Sequence, residues 1–179
     1  MLVEAIFAGF GGQGVLSMGK LLAYSAMKEG KEVSWMPSYG PEMRGGTANC
    51  MVNISDEPIS SPVVTAYDVV VVLNQPSLKK FEGSVKKGGI LIWESSTIKQ
   101  GPTRDDIRIY PLPAIELATN ELKNVKVMNM IVLGALVKLN HLVKKETLLD
   151  VLKETLPPRH HDLIPVNAKA IELGMNSIQ

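Results

Sequence analysis

Apolar residues recur along the chain with two different periods, and the switches between them divide it into strands and helices. Leu2-Val3-Glu4-Ala5-Ile6-Phe7 is a short apolar run and predicts a strand over Leu2–Ala8. Val15, Met18, Leu22 and Ala26 then fall three and four apart. That spacing predicts a helix from about Gln13 to Glu29, with Gly30 placed as its C-terminal cap. A second strand is predicted over Val33–Met36 and a third over Thr47–Ile54, where Ala48, Cys50, Val52 and Ile54 alternate with Thr47, Asn49, Met51 and Asn53. Ile59–Val64 fits a hairpin return or an edge segment, because Pro58 and Pro62 suit an edge. Val69-Val70-Val71-Val72-Leu73 has no polar break and reads as a strand buried on both faces.

After Asn74, Pro76 opens a short helix to about Phe81. Ile90–Trp93, preceded by a turn at Lys86-Lys87-Gly88-Gly89, and Ile107–Tyr110 are further strands. Pro113 begins a helix to about Leu122. From there the period is helical: Met128–Leu139 with Ile131, Val132, Ala135 and Leu139 as its packing stripe, an amphipathic Glu146–Thr155, and Leu163–Leu173 ending at Gly174. Strands alternating with helices predict an α/β fold, three layers α/β/α around a mostly parallel, mixed, Rossmann-like sheet. No repeat and no long linker divides the chain, so residues 1–179 are read as one domain that includes the helices over about 128–175.

Composition adds exclusions. The net charge is +1 with no block of like charges, which gives no footprint for nucleic acid or an anionic membrane. One cysteine, Cys50, cannot form an internal disulfide or hold zinc or an iron–sulfur cluster. No apolar stretch approaches a membrane span and no leader pattern appears, so the expectation is a cytoplasmic protein.

Two stretches carry candidate chemistry. Gly9, Gly11 and Gly14 fit G-x-G-x-x-G between a strand and a helix, where backbone amides can approach a phosphate at a helix N-terminus. A dinucleotide site needs an acid at the end of the second strand, and that strand ends in Pro37-Ser38-Tyr39, with Glu32 at its entry end. The glycines therefore serve either a ligand or only a tight turn. The second stretch, Pro37–Gly46, packs two prolines and three glycines around Ser38, Tyr39, Glu42 and Arg44, and reads as a shaped loop beside the turn. Arg44 could grip an anion bidentately or pair with Glu42 on the surface. Met36 and Met43 flank that loop, as suits an adaptable interface. His160 and His161 read as solvated, His141 as a helix-end charge and Cys50 as a buried small side chain. No catalytic set emerges.

Gly9-Phe10-Gly11-Gly12-Gln13-Gly14-Val15 and Ser38-Tyr39-Gly40-Pro41-Glu42-Met43-Arg44-Gly45-Gly46 together resemble the gamma subunit of the 2-oxoacid:ferredoxin oxidoreductases. Ile54-Ser55-Asp56-Glu57-Pro58-Ile59 and Lys87-Gly88-Gly89-Ile90-Leu91 extend the resemblance over residues 3–98, and it is greatest to the 2-oxoglutarate branch. The branched-chain 2-oxoacid, pyruvate and indolepyruvate branches stay open. The resemblance implies an enzyme of several subunits that decarboxylates a 2-oxoacid on thiamine diphosphate with magnesium. It passes electrons through iron–sulfur clusters to ferredoxin and the acyl group to coenzyme A. It further implies that those cofactors sit on partner chains, and that this chain packs on them and can contribute to coenzyme A binding. The cofactor-binding candidates it gives are Gly9, Gly11, Gly12, Gln13, Gly14, Ser38, Tyr39, Gly40, Arg44, Gly45, Gly46 and Asn74. Against it stand a stand-alone dinucleotide-binding oxidoreductase and a non-catalytic scaffold.

Overall fold

The computed structural model describes residues 1–40 and 46–178. Six strands form one sheet: β1 Leu2–Phe10, β2 Glu32–Tyr39, β3 Thr47–Ser55, β4 Tyr67–Val72, β5 Val85–Glu94 and β6 Arg108–Leu112. Their order is β2-β3-β1-β4-β5-β6. The pairs β1–β4, β4–β5 and β5–β6 are parallel. Strand β3 runs antiparallel to both β1 and β2, which makes the sheet mixed. The helices are α1 Val15–Lys28, α2 Gln75–Phe81, α3 Ala114–Asn120, α4 Met128–Asn140, α5 Lys145–Thr155 and α6 Ile164–Asn176.

Alternation along the strands assigns the two faces. Ala5 and Phe7 of β1, Cys50, Val52 and Ile54 of β3, and Val69 and Val71 of β4 join the helices α1 and α3–α6 in the larger core. Ile6 and Ala8 of β1 and Val70 and Val72 of β4 point the other way, onto Leu78 and Phe81 of α2. The valine run is buried on both sides, as its unbroken apolar pattern requires. Each such side chain removed from water contributes about 1.5–3 kcal/mol. The layers are unequal: five helices cover one face, and the short α2 with the segments before β4 and before β6 covers the other.

Three expectations are corrected. Ile59–Val64 forms no strand; it crosses the sheet as irregular chain, held where Asn53 Nδ2 donates to the Pro62 carbonyl at 3.1 Å. The antiparallel member of the sheet is β3. The stretch Lys86–Gly89 does not turn but lies inside β5, where Gly88 takes a φ of 75° and the pairing with β4 shifts register. Helix α6 continues past Gly174 to Asn176, and Gly174 serves packing instead. A Cβ on Gly174 would stand 1.8 Å from the Ile131 carbonyl oxygen, and one on Gly134 would stand 2.1 Å from that of Ile171. The two glycines let α4 and α6 meet backbone to backbone.

Candidate functional site at the carboxyl ends of β1 and β4

Helix α1 follows β1 and packs on one face, whereas α2 follows β4 and packs on the other. The two connections leave the sheet in opposite directions, so a crevice opens between the carboxyl ends of these adjacent parallel strands. Open α/β sheets bind ligands at such a switch point. The glycine turn and Asn74 both sit there.

Gly14 is the N-cap of α1 in the left-handed region, with φ 75°, and no side chain caps this helix. A Cβ there would also stand 2.3 Å from Asn129 Nδ2. Gly12 has φ 97° and open space around it. Gly9 is close-packed, since a Cβ would meet Gln13 Oε1 at 2.7 Å and Leu73 Cβ at 3.1 Å. Gln13 bridges the crevice floor: its Oε1 accepts from the Phe10 N–H at 2.6 Å and its Nε2 donates to the Leu73 carbonyl at 3.1 Å. Its side-chain amide therefore ties the end of β1 to the end of β4. The Gly11 N–H donates to the Gly46 carbonyl at 2.8 Å, and the Gln13 N–H to Phe10 at 3.1 Å. The amides of Gly12 and Gly14 have no backbone partner among the described residues. They adjoin the uncapped N-terminus of α1, where the helix dipole favours an anion.

Asn74 is buried, 4% exposed, and caps α2: its Oδ1 accepts from the Ser77 N–H at 2.8 Å. Its Nδ2 is fully enclosed and has no hydrogen-bond partner among the described residues. A buried donor without a partner costs about 1–3 kcal/mol.

The shaped loop joins this site through β2 and β3. Ser38 and Tyr39 end β2, paired with Asn49 and Ala48, and Gly40 follows. Ala48 in turn pairs with Gly9 and Thr47 with Phe10, so both ends of the loop stand at the carboxyl end of β1. Gly11 clasps Gly46 across that gap. Arg44 and Gly45, with Pro41, Glu42 and Met43, lie outside the described residues. Of the remaining candidates, the structure brings together Gly9, Gly11, Gly12, Gln13, Gly14, Gly46 and Asn74. It sets Ser38 one strand further out, across β3.

Other polar groups lie elsewhere. Lys86 Nζ binds Glu4 at 2.6 Å and Asp68 at 2.9 Å, at the amino ends of β1 and β4. His161 Nε2 is 2.9 Å from the Leu156 carbonyl, and His141 closes α4 with φ 49°. Cys50 is fully buried under α1, and burial pushes its thiol up to about 12.

Backbone amides and one buried amide side chain line this crevice at the switch point of a mixed α/β sheet, and no catalytic set appears among the described residues. The chain belongs to the pyruvate ferredoxin/flavodoxin oxidoreductase family, whose model matches residues 4–177. It is 40% identical over 173 residues to the ketoisovalerate oxidoreductase subunit VorA of Methanothermobacter marburgensis, covering 96% of this chain and 36% of that one. It is 35% identical to the 2-oxoglutarate synthase subunit KorC of Methanocaldococcus jannaschii, covering 88% of this chain and 85% of that one. The chain thus spans about a third of the length of the ketoisovalerate relative. The crystal structure of a keto/oxoacid ferredoxin oxidoreductase gamma subunit from Geobacter sulfurreducens superposes with a TM-score of 0.84 at 29% identity, over 98% of this chain and 97% of that one.

Proposed function

We propose that this chain is the gamma subunit of a multi-subunit 2-oxoacid:ferredoxin oxidoreductase and that its switch-point crevice binds part of coenzyme A. The observation that carries the binding role is the pair of Gly12 and Gly14 amides, without a backbone partner among the described residues, at the uncapped N-terminus of α1, with the buried amide of Asn74 at the end of the neighbouring strand. These groups are all donors. They suit a phosphate or the carbonyl-rich arm of coenzyme A, and Arg44 would add charge. Thiamine diphosphate, magnesium and the iron–sulfur clusters belong on partner chains, since one buried cysteine cannot ligate a cluster. What this chain does in the reaction is to position the acyl acceptor and pack against those partners. Ferredoxin is reached through the complex.

The relatives' names bear on the substrate. A 2-oxoglutarate synthase subunit supports 2-oxoglutarate, and the higher identity to the ketoisovalerate protein supports a branched-chain 2-oxoacid as a second reading. The deciding experiment is tagged purification from the source cells, followed by coenzyme A-dependent ferredoxin reduction with each acid. Co-purification of thiamine-diphosphate and iron–sulfur chains with activity is the expected result, and the preferred acid names the branch. A folded chain that comes down alone ends the subunit reading. In the active complex, Asn74→Asp keeps the α2 cap and removes the donor. The expected result is a rise in KM for coenzyme A of at least about tenfold, from the lost donor and from the carboxylate placed near an anionic ligand. An unchanged KM removes Asn74 from the site.

A further inference from the structure

A second concave site lies on the helical face, adjoining the glycine turn through Asn129. It is a cleft of about 570 Å³ between α1, the short 3₁₀ turn Val125–Val127, the start of α4, the end of α5 and the start of α6. That volume is in the range of small-molecule sites, about 300–1,000 Å³. Its floor is apolar: Leu21, Val127, Met130 and Leu152 line it and are each at most 5% exposed. Lys20 and Lys126 are its charged residues, and no carboxylate lines it. Helix α4 starts at the cleft with no side-chain cap, because its N-cap is Val127; Asn124 caps the 3₁₀ turn before it, its Oδ1 accepting from the Lys126 N–H at 3.1 Å. The positive end of α4 and the two lysines therefore favour an anion over an apolar bed.

Two asparagines sharpen the chemistry. Asn129 and Asn167 line the cleft, and both are more than nine-tenths buried. Asn167 Nδ2 donates to the Leu163 carbonyl at 2.8 Å and Asn129 Nδ2 to the Gly14 carbonyl at 3.5 Å. Their Oδ1 atoms have no hydrogen-bond partner among the described residues. Each is an acceptor that asks for an N–H or O–H from whatever enters. An apolar floor, a cationic mouth and two accessible amide oxygens on mostly buried residues together specify an occupant.

We propose that this cleft binds an aliphatic monocarboxylate carrying a hydroxyl or amino donor next to its acid group. The carboxylate lies toward Lys126 and the start of α4, the donor meets the Asn129 and Asn167 oxygens, and the chain covers Leu21, Val127, Met130 and Leu152. Asn129 joins this cleft to Gly14 of the proposed coenzyme A crevice, so the two sites adjoin, and titration in the absence of coenzyme A tests this one alone.

The test is calorimetric titration of the full chain with 2-hydroxyoctanoate, octanoate, 2-aminooctanoate and 1,2-octanediol. Saturable binding of the hydroxy or amino acid is expected, weaker by about tenfold for octanoate and for the diol, because each lacks one recognised group. The ranking of the hydroxy and amino acids separates the two donor sources. Ser17→Trp, on the exposed side of α1, should fill the cleft and abolish binding, and Lys126→Glu should weaken it by about tenfold or more. Circular dichroism and Tm establish that both variants are folded. Absence of saturable binding into the millimolar range, or binding that survives Ser17→Trp, overturns the proposal.

Discussion

Gln13 shows how a residue in a ligand-binding motif can serve the fold. Both ends of its side-chain amide are used, one on Phe10 and one on Leu73, so it fixes the width of the crevice. Gly11 likewise gives its N–H to Gly46. Of the turn's amides, those of Gly12 and Gly14 have no backbone partner among the described residues. Cys50 illustrates the opposite fate, a reactive residue type kept inert. Its Sγ contacts the Val15 carbonyl at 3.5 Å, under Gly19, where a Cβ would stand 2.4 Å from the sulfur. Burial favours the neutral thiol, so its folded value is about 12 against 9.0 for the ordinary group. The stability this contributes is complete below pH 9 and is lost as pH rises toward 12. Unfolding therefore becomes easier along that alkaline limb, and Cys50→Ala should flatten it in denaturant titrations. At neutral pH a disulfide reagent should label Cys50 only after unfolding. Labelling of the native chain at the rate of the denatured one would contradict this placement.

Helices α4 and α6 meet through Gly134 and Gly174, and the consequence is a strong intolerance of side chains at both. A methyl on Gly174 would overlap the Ile131 carbonyl, and neither helix can withdraw without lifting α4 off the core. Overpacking of this kind costs about 3 kcal/mol, the upper end of the usual range. Gly174→Ala should accordingly lower Tm by roughly 6–12 °C in a chain of this size. Gly83→Ala, where a Cβ meets nothing within 4 Å, is the control and should change little. If both variants melt alike, the close approach of the helices is not what selects glycine. This role was not legible in sequence, where a glycine after a helical pattern reads as a terminator. The valine run of β4 and the stripes of α1 and α4 were legible, because burial on both faces or on one stripe leaves a direct mark on residue type. The path of Ile59–Val64 was not, since it depends on Asn53 reaching Pro62 across the sheet. Nor was the unpartnered Nδ2 of Asn74: the residue stood out as a strand end, and only the enclosure shows that half of its amide is unused.

For the molecule as a whole, the decisive non-local fact is that β3 is inserted between β2 and β1. In a dinucleotide-binding sheet the second strand lies beside the first and ends in the acid that holds the ribose. Here β2 is the edge strand, two strand spacings or about 10 Å from β1. No acid stands at the end of β2, and that end is one strand further from the glycine turn than the ribose-binding acid of a dinucleotide site. Titration of the isolated chain with NAD or NADP should show no saturable binding, and micromolar affinity for either would restore the dinucleotide reading. No described helix is long and apolar enough to cross a membrane.

The position of β1 also sets a timetable. It lies at the centre of the sheet, hydrogen-bonded to β3 on one side and β4 on the other, yet it is made before either. A nascent chain carries this strand with both edges bare until residue 55 and then residue 72 have been added. The hairpin of β2 and β3, whose partners are close in sequence, is expected to close first and to offer β1 its first edge. The glycine turn is thus translated early and assembled late, when β4 arrives and Leu73 gives Gln13 its second contact.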